Sequence, residues 1–92
     1  MSVQRHAAQI AGHRVELVFD KNLVVLNRAR LEVDGVEVDS TRVVYGEREL
    51  TADLPDGSAL EVRLHSGMVG ELTRAQARVG GGAAWTDLAP EA

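Results

Sequence analysis

Residues 31–38, with the sequence LEVDGVEV, decide the fold because they have the pattern of a β-hairpin. Apolar and acidic side chains alternate on both sides of Asp34-Gly35, the pair that a two-residue type I′ turn favours. With this turn, residues at equal distances from it face each other, which pairs Val33 with Val36, Leu31 with Val38, Glu32 with Glu37 and Arg30 with Asp39. The stretch therefore predicts a hairpin with one wholly apolar face, whose burial sets the register.

Much of the remaining chain shows the same alternation, which is typical of strands with one buried face. Three apolar sets follow this spacing: Val15, Leu17 and Phe19; Leu50, Ala52 and Leu54; and Leu60, Val62 and Leu64. The second and third sets face each other if Leu54 pairs with Leu60 across a three-residue loop, 56–58. In that loop Gly57 would take a positive φ, which glycine adopts without strain.

Residues 68–79 fit either a helix or a strand. At helical spacing Leu72, Ala75 and Val79 share a face and Gly80 follows as a C-cap, and local propensity favours this interpretation. At strand spacing one face carries Val69, Thr73, Ala75, Ala77 and Val79, and the other carries Leu72, Arg74, Gln76 and Arg78. The residues alone leave both possibilities open.

Composition predicts one soluble globular domain over residues 1–92, with a disordered tail at 89–92. No cysteine is present, so disulfides and thiolate chemistry are excluded. The net charge of −4 argues against nucleic-acid binding, and no apolar run reaches the length of a membrane helix. The first residues do not resemble a secretory signal, which predicts a cytoplasmic protein. Nine arginines against one lysine suggest a GC-rich, bacterial genome.

The order of signals along residues 12–88 resembles the β-sandwich domain of the Fas apoptotic inhibitory molecule family. The features that carry the resemblance are an opening strand GHRVEL at 12–17, the hairpin that turns at Asp34-Gly35, the Ser66-Gly67 turn, and a long last segment ending in glycine. The resemblance implies that 68–79 is a strand. We therefore predict an all-β fold, a small antiparallel β-sandwich of about seven or eight strands, with an α+β fold containing one helix at about 69–79 as the alternative.

Candidate chemistry is sparse. His6, His13 and His65 are the only histidines, and their spacing matches no metal motif, so surface positions are the simpler interpretation. None of the serines lies in a nucleophile elbow, G-x-S-x-G. Several arginines could gather on one sheet face or pair with the glutamates between them: Arg42, Arg48, Arg63, Arg74 and Arg78.

Trp85 is the most informative single residue, because it could either close the core or serve as an exposed anchor for a partner. We name Trp85, Tyr45 and His65 as the candidate interaction surface. The sequence contains no cofactor motif and no nucleophile pattern, so we predict a non-catalytic binding or protein-interaction module that needs no cofactor. A protein partner or a second copy could add to a sheet edge. The alternative is a small-ligand or metal-binding accessory protein, with His13, His65 and Trp85 lining a pocket.

Overall fold

The computed structural model describes residues 2–21, 27–43, 46–67, 72–80 and 84–91, and every regular element in these ranges is a β-strand. The strands are β1 (Ser2–Ile10), β2 (His13–Lys21), β3 (Asn27–Val33), β4 (Val36–Val43), β5 (Gly46–Asp53), β6 (Ala59–Ser66), β7 (Leu72–Val79), β8 (Thr86–Asp87) and β9 (Ala89–Glu91). They form two antiparallel sheets, with the orders β4-β3-β2-β1-β9 and β5-β6-β7-β8. The predicted all-β sandwich is confirmed, with nine described strands where seven or eight were expected.

The core lies between the two sheets. Val15, Leu17 and Phe19 of β2, the middle strand of the five-stranded sheet, are fully buried as their alternation predicts. Residues from both sheets complete the cluster, among them Ala29, Leu31, Val43, Leu50, Leu54, Leu60, Val62, Leu64, Ala75, Ala77 and Leu88. Their apolar area, removed from water, is the main term that stabilises the fold.

The turn at Asp34-Gly35 has the predicted geometry. Asp34 has φ 52° and Gly35 has φ 85°, the two positive values that a type I′ turn requires. Val33 pairs with Val36 and Glu32 with Glu37, as predicted.

Beyond these two pairs the predicted register is wrong, because the register shifts and leaves Val38 without a cross-strand partner. Leu31 faces Asp39 instead of Val38, and Arg30 therefore faces Ser40. The extra residue in β4 accompanies a contact with the other sheet. Oδ2 of Asp39 accepts a hydrogen bond from the main-chain N–H of Thr51 on β5 at 3.0 Å.

The hairpin does not bury a wholly apolar face, which corrects the second part of that prediction. Val36 is 63% exposed and Val38 is 43% exposed. Both belong to β4, which is an edge strand of the five-stranded sheet. At a sheet edge the opposite sheet covers less of the inner face, so alternation alone overestimates burial there.

The β5–β6 connection is longer than the predicted loop. Ala52 pairs with Leu60 and Asp53 with Ala59, so five residues, 54–58, make the turn. The N–H of Leu54 donates to the Ser58 carbonyl at 2.8 Å, and Gly57 has φ 89°, the positive value expected of it. Because the register moves by two residues, both apolar sets still face inward. The longer loop also lets Leu54 lie buried at the end of the core.

Residues 72–79 form β7, so the strand interpretation is confirmed for them and the helix alternative is wrong. Residues 68–71 lie outside the described part of the chain. Pairing with β6 along one edge overrides the local helix propensity of these residues. No helix in the described ranges is long and apolar enough to cross a membrane.

The prediction of a disordered tail at 89–92 is wrong for Ala89–Glu91, because these residues form strand β9. It pairs with Arg5–Ala7 of β1, and the Glu91 carboxylate forms an ion pair with Arg14. The preceding residue, Leu88, is buried, and its N–H donates to the Ala75 carbonyl of β7 at 2.9 Å. The last described segment therefore joins the edges of both sheets.

We expect Leu88→Ala to lower the free energy of unfolding by about 2–5 kcal/mol, because it removes a buried side chain at this junction. Urea unfolding measures the change, and Val38→Ala, at a half-exposed position, is the matched control. A loss in Leu88→Ala no larger than in the control would show that the last segment does not pack on the core.

Candidate functional site

The outer face of the four-stranded sheet is polar because the inward positions of its strands take the apolar residues. On β6 the outward side chains are Glu61, Arg63 and His65, and on β7 they are Arg74, Gln76 and Arg78. Cross-strand pairing sets Glu61 opposite Arg78, Arg63 opposite Gln76 and His65 opposite Arg74. This face therefore brings together residues that are far apart in the sequence.

Trp85 lies on this outer face and is absent from the core cluster, so the interpretation that it closes the core is wrong. Its ring centroid is 4.1 Å from the guanidinium carbon of Arg63 and 4.3 Å from that of Arg78. These are cation–π contacts, in which the electron-rich ring face attracts the cations. The indole remains partly exposed to solvent. We call Trp85, Arg63 and Arg78 the Trp85 cluster.

Hydrogen bonds fix the orientation of Arg63. Its Nε donates to Oε1 of Gln76 at 2.8 Å, and Nε2 of Gln76 donates to Oδ1 of Asp87 at 2.8 Å. Glu49 is the cross-strand neighbour on β5, yet no ion pair within 4.0 Å joins it to Arg63. Arg63 thus lacks a carboxylate partner among the residues that the structure describes.

Arg78 differs from Arg63 because its charge is compensated. Its guanidinium donates to the Glu61 carboxylate at 3.1 Å, which is the arginine–glutamate pairing that the sequence offered as one possibility. The other possibility, one face gathering all five arginines, is contradicted by Arg42, which belongs to the other sheet. The Trp85 cluster therefore carries a net positive charge at Arg63.

His65 lies on the same outer face as the Trp85 cluster. Its Nδ1 is hydrogen-bonded to Oγ1 of Thr73 at 2.6 Å, and that hydroxyl donates to the main-chain carbonyl of His65 at 3.1 Å. Glu47, Thr73 and Arg74 line a shallow depression beside it. Of the three predicted surface residues, the structure thus places Trp85 and His65 on one face, and Tyr45 lies outside the described residues.

The three histidines do not form a metal site. His13 begins β2 in one sheet and hydrogen-bonds to Asp34, whereas His65 belongs to the other sheet. No group of three histidine or carboxylate side chains that could hold a metal ion occurs within the described ranges. His13 and Trp85 do not line the depression beside His65, and the pocket of His13, His65 and Trp85 stays a prediction.

An open groove of about 620 Å³ lies between the edges of the two sheets. His6, Arg74 and Asp87 are its ionisable lining residues, together with main-chain and apolar atoms of the last described segment. The Asp87 carboxylate already accepts a hydrogen bond from Gln76. The groove therefore offers a partly polar recess without a serine or cysteine nucleophile among its lining residues.

The contact between His13 and Asp34 predicts a pH dependence. The hydrogen bond from Nδ1 of His13, at 2.7 Å, lowers the pKa of the Asp34 carboxyl, and the main-chain N–H of Arg14 adds to this at 2.9 Å. A carboxyl whose pKa is lower in the folded state contributes stability above its unfolded pKa, about 3.9, and loses it as the pH falls through the folded value.

We therefore expect Asp34→Asn to be less stable than the wild type at neutral pH, by an amount that shrinks at acidic pH. Asparagine tolerates the positive φ of this turn position, so the variant removes the charge and keeps the turn. Urea unfolding midpoints over a range from neutral pH to below about 3.9 measure the effect. A difference between the two proteins that stays constant over this range would contradict the expectation.

No protein-family model matches this chain, and the searches of curated proteins and of solved structures find no match either. The residues of the site therefore carry the functional interpretation alone. Sequence alternation could have indicated that Arg63 and Arg78 share a face, but it could not indicate that Trp85 covers them, because that contact depends on the path of the chain after β7.

Proposed function

We propose that this protein is a non-catalytic protein-interaction module, which binds an acidic segment of a partner through the Trp85 cluster. The observation that carries the proposal is a partly exposed tryptophan held outside the core by two guanidinium groups. Tryptophan and arginine are the residues most enriched at the energetic centres of protein interfaces. Their contact on one face supports a binding role over a purely structural one.

The chemistry of the partner follows from Arg63. Its Nε is committed to Gln76, which holds the guanidinium in place, and no carboxylate lies within 4.0 Å of it among the described residues. A carboxylate of the partner would gain charge-assisted hydrogen bonds from a donor group that is already oriented. The remaining exposed ring of Trp85 would be covered at the same time, which adds apolar burial.

The outer face is favoured over the sheet edges β4 and β5, which were the expected place for an added strand. Asp39 accepts the main-chain N–H of Ser40 on β4 at 2.8 Å and that of Thr51 on β5 at 3.0 Å. The Asp39 carboxylate thus accepts a hydrogen bond from one main-chain N–H group on each edge strand. These N–H groups are then not available to pair with an added strand. The β7 side is partly covered by β8, a strand of two residues.

The alternative, a small-ligand or metal-binding accessory protein, stays a prediction, and no group of three histidine or carboxylate side chains that could hold a metal ion occurs among the described residues. The bacterial source, the cytoplasmic location, edge-mediated self-association and the resemblance to the Fas apoptotic inhibitory molecule family stay predictions from the sequence. None of them is needed for a role of the Trp85 cluster in binding.

Selection from a library of displayed random peptides tests the proposal, with Trp85→Ala protein as the counter-selection. We expect the enriched peptides to be rich in aspartate and glutamate. Because Trp85 is the only tryptophan, its fluorescence reports binding directly. Affinity should fall with added salt, since exposed charges are screened. Peptides that bind wild type and Trp85→Ala equally, or a selection that enriches no sequence, would overturn the proposal.

A further inference from the structure

Two arginines face each other directly on the outer side of the five-stranded sheet. The register pairs Arg28 of β3 with Arg42 of β4, and both side chains are exposed. Like charges at directly opposite positions of an antiparallel pair repel each other and destabilise the sheet. A sequence under selection for stability alone would not be expected to place them together.

The other arginines of this face are compensated by carboxylates. Arg5 pairs with Glu16 at 2.9 Å, and Arg30 lies 3.1 Å from Asp20. In contrast, no carboxylate of a described residue lies within 4.0 Å of Arg42. Arg28 reaches only Glu37, at 3.7 Å, which is too long for a hydrogen bond. The pair therefore retains most of its positive charge.

The pair borders a shallow depression whose remaining lining residues are Ser40 and Thr41. Ser40 lies two residues before Arg42 on β4, so alternation puts its hydroxyl on the same face as the two guanidinium groups. The hydroxyl of Thr41 donates to the Arg42 carbonyl. The depression thus combines two cationic fork-shaped donors with a hydroxyl group.

We propose that Arg28, Arg42 and Ser40 form a binding site for a phosphate group, either inorganic phosphate or a small phosphomonoester. Guanidinium groups match the geometry of phosphate oxygens and bind them through paired hydrogen bonds. A dianion would also neutralise the repulsion between the two arginines. The carboxylates of Asp20, directly opposite Arg28 on β2, and of Glu37 repel the anion, so we expect a dissociation constant of about 1 mM.

This site is independent of the proposed function, because it lies on the other sheet and shares no residue with the Trp85 cluster. The test is thermal unfolding with inorganic phosphate, with O-phosphoserine, and with chloride at the same ionic strength. With a dissociation constant of about 1 mM, about 10 mM phosphate should stabilise the wild type by about 1.4 kcal/mol and raise its Tm by roughly 8 °C over chloride.

Arg42→Gln is the decisive variant. It removes one of the two like charges, so its Tm in chloride should be equal to or above that of the wild type, and its response to phosphate should be lost. Arg48→Gln is the matched control, since Arg48 lies on β5 and donates to the main-chain carbonyl of Glu47. This control should keep the full response to phosphate.

Amide NMR spectra recorded with and without phosphate locate the bound anion. The amide signals of Arg28, Ser40 and Arg42 should shift most. Equal responses to inorganic phosphate and O-phosphoserine would identify a site for any phosphate group, whereas a response to one alone would identify its source. Equal stabilisation of the wild type by phosphate and chloride, or an unchanged phosphate response in Arg42→Gln, would overturn the proposal.

Discussion

Replacing Phe19 by alanine is expected to lower the free energy of unfolding by about 3–5 kcal/mol. Phe19 is the only phenylalanine, is fully buried, and lies on the middle strand of the five-stranded sheet. Its truncation removes apolar area from the core and leaves a cavity, because the neighbours relax only in part. A domain of this size has a total stability of about 5–15 kcal/mol, so a large share would be lost. Urea unfolding followed by circular dichroism measures the change.

Val36→Ala is the control for this prediction, because Val36 also belongs to the alternating apolar pattern but is 63% exposed. Its stability should stay within about 0.5 kcal/mol of the wild type. Comparable losses at the two positions would contradict the assignment of β2 to the centre of the core and of β4 to its edge. If Phe19→Ala does not fold, Phe19→Leu, which keeps much of the apolar volume, gives a measurable smaller loss of about 0.5–3 kcal/mol.

Trp85→Ala is expected to weaken binding of a selected acidic peptide by about 30-fold, which corresponds to about 2 kcal/mol. The variant loses the ring that the partner would cover and the stacking that holds Arg63 and Arg78. Fluorescence anisotropy of a labelled peptide measures the affinity without relying on the indole. Because Trp85 lies outside the core, the stability of the variant should fall by only about 1–2 kcal/mol.

Two further variants separate binding from folding at this site. Trp85→Phe keeps an aromatic face for the arginines and should retain part of the affinity. Arg48→Ala removes an arginine of the same sheet outside the Trp85 cluster, so it should leave the affinity unchanged apart from the general effect of charge. An equal loss of affinity in Trp85→Ala and Arg48→Ala would show that charge alone attracts the peptide.

Local patterns predict those parts of the fold that depend on local chemistry. The alternation of Val15, Leu17 and Phe19 correctly assigns the face of β2 that joins the core, although Val18 on the other face is buried as well. The Asp34-Gly35 pair correctly predicts a turn with two positive φ values. Both features rest on the period of a strand and on the conformations that short turns allow. They need no knowledge of the partner sheet.

Features that depend on the other sheet could not be predicted from local patterns. The register shift near Asp39 accompanies a hydrogen bond to Thr51 of β5, and the segment Ala89–Glu91 is ordered by pairing with β1. The sequence pattern of the neighbouring residues indicates neither contact. A short terminal segment that contains a proline has the composition of a disordered terminus. In this fold, however, the main chain of Ala89–Glu91 adds a strand to the five-stranded sheet.

Trp85 illustrates the same limit at the candidate site. A lone large aromatic residue in a chain with few aromatic residues is a reasonable choice for the core on composition alone. The structure places it outside because two arginines from neighbouring strands meet beneath it. Only the pairing of β6 with β7 brings these two arginines together.

The most direct test of the proposed binding surface is an NMR titration of the labelled protein with a selected acidic peptide. Trp85 gives the only indole Nε1–H signal, and we predict that this signal shifts together with the amides of Arg63 and Gln76. This result would place the peptide on the outer face of the four-stranded sheet. Shifts confined to Val38 and Thr51 at the β4 and β5 edges, with an unchanged indole signal, would contradict the account.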